Sequence, residues 1–171
     1  NRRAVTAACL EQLARQTDPD FAVILVDDGS SDGTRAMVRS RFPQTLLLEG
    51  NGNLWWTAAT NLGVQEARAR GAQAIMTLND DTLPDPGFIA AMKAAAAARP
   101  GALIGALTVD HETGEPVYWG ERVFWPTAAF RPLPRPGPGP ALGLHPVTHF
   151  PGRGLFIPAP VFDAIGLFDE R

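Results

Sequence analysis

The sequence predicts an α/β domain built on a mostly parallel central sheet with helices on both faces. Three observations lead there. Short apolar runs alternate with longer amphipathic stretches through residues 1–100. Two of those runs end abruptly in paired acids, Asp27-Asp28 and Asp80-Asp81. Gly and Pro punctuate most of the junctions. Strands interleaved with helices imply βαβ units with right-handed crossovers. Apolar runs without polar alternation imply strands covered on both faces, as inside a parallel sheet.

The elements follow in order. Thr6 is placed to cap a helix whose Cys9, Leu10 and Leu13 share one face. Thr17-Asp18-Pro19 ends it, because Pro disfavours helix in the residue before it. Phe21 to Val26 is a six-residue apolar run and reads as a buried strand. It empties into Asp27-Asp28-Gly29-Ser30-Ser31-Asp32-Gly33-Thr34. A helix with Met37 and Val38 inward stops near Phe42-Pro43, and Thr45 to Leu48 is the next strand. After the loop Gly50-Asn51-Gly52-Asn53, Leu54-Trp55-Trp56 leads into a helix closed by Gly71. Ala74 to Leu78 is a strand, expected in the sheet interior, whose end releases Asn79-Asp80-Asp81. Asp85 and Pro86 read as N-cap and first helical residue, with Phe88, Ile89 and Met92 on the inner face.

The character changes after Pro100. Ala102 to Val109 reads as a strand, His111 to Gly114 as a turn, and Val117 to Gly120 as an antiparallel return. Pro126 to Pro146 contains seven prolines, which excludes a regular element and predicts a mobile, partly extended loop. Val147 to Phe150 and Leu155 to Pro158 are short strand candidates around Gly152 and Gly154, and Pro160 to Ile165 a short helix.

Composition bounds the function. The 171 residues suffice for one domain with a real core. Hydrophobic content of 45% against 19% charge is globular. A net charge of −3 gives no reason to expect a nucleic-acid or anionic-membrane surface. The lone Cys9 excludes an internal disulfide. No apolar run reaches transmembrane length.

The chemistry concentrates at the strand ends. In open α/β sheets, ligands bind at the carboxyl ends of the strands. If the strands are parallel, Asp27-Asp28 and Asp80-Asp81 share one edge. Adjacent carboxylates repel unless a cation or donor groups lie between them. Hard oxygen ligands with an open side suit Mg²⁺ or Mn²⁺ carrying substrate phosphates. One pair would hold metal and diphosphate, and the other would accept hydrogen bonds from a base or ribose hydroxyl. The plain reading of both segments is an Asx-rich turn with a capping acid. It accounts for Ser31 and Asp32 and leaves the paired acids unexplained.

Three other strand-end chemistries fail. A phosphoacceptor receiver needs a strand-end Lys, and Lys93, the only Lys, falls within a helix. A haloacid-type phosphatase needs Asp-x-Asp, and the first place here is Asn79. A dinucleotide site needs Gly-x-Gly-x-x-Gly after its first strand; Gly50-Asn51-Gly52 is only a partial match.

Val26 to Thr34, Asn61-Leu62-Gly63 in a helix, and Leu78-Asn79-Asp80-Asp81 together resemble family 2 glycosyltransferases of the Rossmann-like GT-A fold. Gly154 to Pro158 and Ile165 to Glu170 extend the resemblance across most of the chain. It implies inverting transfer from a nucleotide-diphosphate sugar to a glycan or lipid-linked acceptor, with Mg²⁺ or Mn²⁺, of the hexosyl- or rhamnosyltransferase kind used in cell-wall or polysaccharide synthesis. By the same resemblance Asp27, Asp28, Ser30, Asn61, Asn79 and Asp80 bind the donor, and Asp81 with Asp80 the metal. Asn79 departs from the family's Asp-x-Asp, which removes one charge. Residues 1–100 would form the nucleotide-sugar half, and residues 101–171 the acceptor half. The chain is expected to lack segments at both ends: Asn1-Arg2-Arg3 resembles the end of the family's first strand, and the general base is expected beyond Arg171. Asp169 is the candidate base within the chain, with Glu170 beside it. The implied location is cytoplasmic, with peripheral association at the inner membrane face left open. Two alternatives stand: a donor-binding fragment without chemistry, and a sugar-phosphate nucleotidyltransferase, whose Gly-rich basic loop is missing here.

Overall fold

A computed structural model describes residues 1–134 and 143–170. The elements are α1 (Arg3–Ala14), β1 (Ile24–Asp27), α2 (Thr34–Arg41), β2 (Leu46–Glu49), α3 (Trp55–Ala69), β3 (Ala74–Thr77), α4 (Phe88–Ala98), β4 (Ile104–Gly105), β5 (Thr108–Val109), β6 (Pro116–Tyr118), β7 (Glu121–Phe124), β8 (Ala129–Pro132), β9 (Leu155–Pro158) and α5 (Ala159–Ile165).

Only the second half of the apolar run at residues 21–26 enters β1, which starts at Ile24 and pairs in parallel with β2 in the register Ile24↔Leu46 to Asp27↔Glu49. Successive strand residues face opposite sides. Leu25 therefore packs with Leu47 into a cluster of Ala7, Leu10, Val38 and Phe42 from α1 and α2. Val26 instead faces α3, which packs against β1 at Gly63. This strand thus has helices on both faces, as expected. Gly71 follows the end of α3 at φ +79°, and its amide returns to the Arg68 carbonyl.

The sheet itself differs from the expected mostly parallel one. Among the described residues β1–β2 is the only parallel pair. β3 belongs to a second sheet in the order β3-β9-β4, and β9 runs antiparallel to both neighbours. The run at residues 74–78 does form a strand, but β3 is half-buried except at Thr77 and lies at the edge of its sheet, not in the interior. An apolar run says nothing about strand order or direction, and the late strand β9 pairs with it. A second core cluster lies here: Val64, Leu155, Ile157 and Phe162, with Ile75, Leu103 and Phe150 against it. α3 packs on both β1 and β3 and so spans the two sheets.

Several local expectations need correction. α1 begins at Arg3, and Thr6 lies inside it, 4% exposed, instead of capping it. α4 begins at Phe88 after Gly87; the Asp85 carbonyl accepts the Phe88 amide, and Gln16 Oε1 accepts the Ile89 amide at 2.9 Å. The Ala102–Val109 strand is two short strands in different sheets, β4 pairing with β9 and β5 with β6, and Gly105 lies against the Phe150 ring. Val147 to Phe150 contributes only an isolated bridge, Glu121↔His149. The proline-rich stretch contains two regular pieces, a 3₁₀ turn at Trp125–Thr127 and β8 at Ala129–Pro132, while residues 133–134 and 143–146 are irregular as expected. Pro132 sits at the end of an edge strand, where a missing N–H costs little. Residues 135–142 of that predicted loop lie outside the described residues. Among the described residues no helix is long and apolar enough to cross a membrane.

Candidate active site

Three separate stretches build the candidate site. The first is the turn leaving β3. Thr82 donates to the Asn79 carbonyl from Oγ1 at 2.7 Å and from its amide at 3.3 Å. The closed turn presents Asp80 and Asp81 side by side. Arg2 bridges them, with Nη2 2.6 Å from Asp80 Oδ1 and Nη1 3.2 Å from Asp81 Oδ2. Thr6 Oγ1 donates to Asp80 Oδ2 at 3.0 Å. Cys9 lies beneath the turn, its Sγ 3.8 Å from the Asn79 carbonyl, and burial pushes its thiol above the ordinary value.

The second stretch runs from Asp27 to Thr34. Asp27 is 5% exposed and forms an ion pair with Arg35 of α2. Burial pushes its carboxyl up, but hydrogen bonds from Ser30 and Arg35 outweigh this and hold it below the ordinary 3.8. Asp28 takes a different role. It accepts the backbone amides of Gly52 at 2.6 Å, Leu54 at 2.8 Å and Trp55 at 3.3 Å, fixing the loop that opens α3. Gly50 must be small because a Cβ would run into the Asp28 carboxylate. Asp32 is held down to about 2, chiefly by the Thr34 hydroxyl and then by the Arg3 amide.

Residues 1–3 join these two stretches. Asn1 Oδ1 accepts the Ser31 amide at 2.7 Å, and the Arg3 amide donates to Asp32 Oδ2 at 2.9 Å. Arg2, between them, turns to Asp80 and Asp81.

The third stretch is the face of α3 against the chain's last described residues. Asn61 is 2% exposed. Its Nδ2 donates to the Phe168 carbonyl at 2.8 Å and to Glu170 Oε1 at 2.6 Å, while its Oδ1 accepts the Phe168 amide at 3.0 Å. Its amide is therefore turned toward residues 168–170. Asp169 is exposed beside it. Trp56 links this region to the acids: its Nε1 donates to Asn79 Oδ1 at 3.2 Å, and its ring meets Phe168 edge-on at 5.7 Å. Gly152 is under the Trp56 ring, where any Cβ would overlap it. Trp55 sits at φ +54° with 83% exposure. That conformation is strained for a bulky residue, and the Asp28 carboxylate helps to hold it.

The structure thus brings Asn79, Asp80 and Asp81 together with Arg2, Thr6 and Trp56. Arg2 and Thr6 escape sequence reasoning because their contacts cross about 75 residues; Arg35 lies eight residues from Asp27, and the turn between hides the pairing.

The donor set can be tested for a divalent cation. Among the described residues no group of three or more His, Cys, Asp or Glu side chains could enclose a metal. Two adjacent carboxylates do suit Mg²⁺ or Mn²⁺ that keeps waters and takes further ligands from substrate phosphates. Arg2 shows that one cationic group can satisfy both at once. The residues fit a cation completed by a phosphorylated ligand.

An α/β scaffold with carboxylates at two strand ends is compatible with an enzyme of the glycosyltransferase class. The chain belongs to glycosyltransferase family 2: the profile described as "Glycosyl transferase family 2" matches residues 1–154. It is similar to the N-acetylglucosaminyl-diphospho-decaprenol L-rhamnosyltransferases of Mycobacterium tuberculosis strains CDC 1551 / Oshkosh and ATCC 25618 / H37Rv, 28% identical to each over 190 residues. The match covers 95% of this chain and 60% of each relative, so the chain spans less than two thirds of their length.

Proposed function

We propose that this chain carries the donor site of an inverting, Mg²⁺- or Mn²⁺-dependent glycosyltransferase. It transfers a deoxyhexose of the rhamnose type from a nucleoside diphosphate to a hydroxyl of a lipid-diphosphate-linked glycan. The observation that carries the reading is the Asp80–Asp81 pair at the end of β3, held by Arg2 and Thr6. When bound, the cation would offset the charge that develops on the leaving diphosphate. Asp81 and Asp80 would hold it. Asn79, kept in place by Trp56, would accept a ribose or sugar hydroxyl. Asp27 and Ser30 would border the nucleobase, and Asp28 would order the loop that closes over it. Asn61 would act from behind, fixing the segment that leads to the acceptor. The family relationship and the rhamnosyltransferase names of the two relatives support the sugar and acceptor classes. We also place the protein in the cytoplasm, peripheral at the inner membrane face, where a lipid-linked acceptor is reached.

The test is calorimetric titration of a nucleoside diphosphate with and without Mn²⁺, in wild type and Asp81→Ala. Binding should require both the metal and Asp81. Equal affinity in all four titrations would sink the reading.

A second reading is binding with little turnover, favoured by one observation. The Glu170 carboxylate is engaged by Asn61, leaving it poorly placed to take an acceptor proton. Loss of a general base alone costs about 10²–10⁴-fold in rate. Donor binding in calorimetry without detectable sugar transfer from the same donor would establish it.

A further inference from the structure

We infer that the β7–β8 hairpin is a docking wedge for the surface of an anionic phospholipid bilayer. This deepens the membrane part of the reading above, and its test needs neither donor nor acceptor.

The hairpin has two unlike faces. Its register pairs Arg122 with Arg131, Val123 with Phe130 and Phe124 with Ala129. Cross-strand partners share a face, so Arg122, Phe124, Ala129 and Arg131 lie together. The opposite face meets His149: Glu121 lies 3.0 Å from its Nδ1, and Phe130, still 56% exposed, stacks edge-on against the same ring at 4.8 Å. Along the edge of β7 the Val123 amide donates to Thr148 Oγ1 at 2.7 Å. The hairpin is therefore braced on one side and presents the arginine face outward.

That outward face is costly for folding alone. Like charges directly opposite on a ladder destabilise it. Among the described residues neither arginine has a carboxylate partner; Arg122 Nε donates only to the Pro146 carbonyl at 3.2 Å, and Arg131 lies 4.0 Å over the Phe124 ring. Most of the remaining guanidinium donors are turned to solvent. At the tip Trp125 is 76% exposed, and Ala128 closes the turn at φ +51°.

These groups match one kind of partner. Guanidinium forks suit phosphate oxygens. Trp and Phe beside them suit the boundary between headgroups and hydrocarbon. The exposed aromatic tip suits a bilayer boundary better than a nucleic-acid backbone. The chain's net charge of −3 opposes any polyanion, so attraction to an anionic surface is left to this local basic pair. The overall negative charge masks the pair in a composition-based reading.

The experiment is vesicle co-sedimentation of this chain with phosphatidylglycerol–phosphatidylcholine vesicles and with pure phosphatidylcholine vesicles. Three variants are compared with wild type: Arg122→Gln with Arg131→Gln, Trp125→Ala, and a charge-matched control, Arg15→Gln with Arg99→Gln. Circular dichroism checks that each variant folds. Wild type should partition into anionic vesicles at least about tenfold better than into neutral ones, and lose that preference in high salt. The hairpin pair and Trp125→Ala should each lower partitioning about tenfold, and the control should not. Partitioning that ignores vesicle charge, or falls equally in the control, would overturn the inference. So would a concentration-dependent dimer, lost in Trp125→Ala without vesicles, since the wedge would then dock a second copy.

Discussion

Replacing Asn61 should loosen the chain's last segment in a way that pH can read. Asn61 is 2% exposed and makes three hydrogen bonds, two to the Phe168 backbone and one to the Glu170 carboxylate. Asn61→Ala removes all three. Neutral bonds contribute about 0.5–1.5 kcal/mol each and a bond to a charged group about 1.5–3 kcal/mol. Phe168 is half-buried, so its freed groups regain some water, and the expected loss is about 3 kcal/mol. For a domain of this size that lowers Tm by roughly 6–12 °C. Asn61→Asp is the sharper variant. It keeps the acceptor for the Phe168 amide, loses both donated bonds, and sets a carboxylate against Glu170. Like charge raises the pKa of the introduced group. A raised folded-state value means the penalty is full at neutral pH and relieved as pH falls through that value. Thermal unfolding by circular dichroism at pH 7.5 and pH 5 should therefore show Asn61→Asp approaching Asn61→Ala, or passing it, at the lower pH. A loss under 1 kcal/mol in Asn61→Ala, or a pH-independent gap between the variants, would refute the reasoning.

Four shorter predictions follow. Asp28→Ala frees three backbone amides and should destabilise by about 2–3 kcal/mol, with faster hydrogen exchange confined to residues 52–57. Arg2→Ala removes the guanidinium that competes for Asp80 and Asp81, so Mn²⁺ binding without nucleotide should strengthen about two- to fivefold, as displacement of an exposed ion pair implies; unchanged affinity in calorimetry would count against competition. Asp27, held below 3.8, contributes stability present above its unfolded pKa and lost as pH falls through its lower folded value. Asp27→Asn should accordingly be less stable at pH 7, with a shallower decline in Tm below pH 4. Gly152→Ala forces a methyl into the Trp56 ring and should cost about 1–3 kcal/mol, visible as a red-shifted tryptophan emission.

Local pattern carried most of the elements and little of the sheet. Leu10, Val38, Ile89 and Met92 are buried as their helical spacing requires, because periodicity reports which side faces the core. Strand order is set by partners far along the chain, and β9 between β3 and β4 leaves no trace in the run at residues 74–78. At the site, paired acids at strand ends were legible because charge at an apolar boundary needs a reason. Their partners were not. Asp27 and Asp28 are neighbours in sequence with opposite fates, one paired with Arg35 and the other spent on three amides. Thr6 looked like a cap because threonines often are, and the Asp32 carboxylate at the Arg3 amide moved the helix start one turn earlier.

The division of the core into two clusters has a consequence for cooperativity. One cluster unites α1 and α2 with β1 and β2, the other unites α3, α5 and β9 with β3. The acids stand where these units meet: Asp27 ends a strand of the first, Asp80 and Asp81 follow a strand of the second, and residues 1–3 and α3 tie them across. Separating the units slightly would pull the carboxylates apart without melting either one. Hydrogen exchange should then divide the amides into two protected sets with distinct opening free energies, and the turn at residues 79–82 should follow the weaker set. Ligand that joins both strand ends would merge the two sets into one.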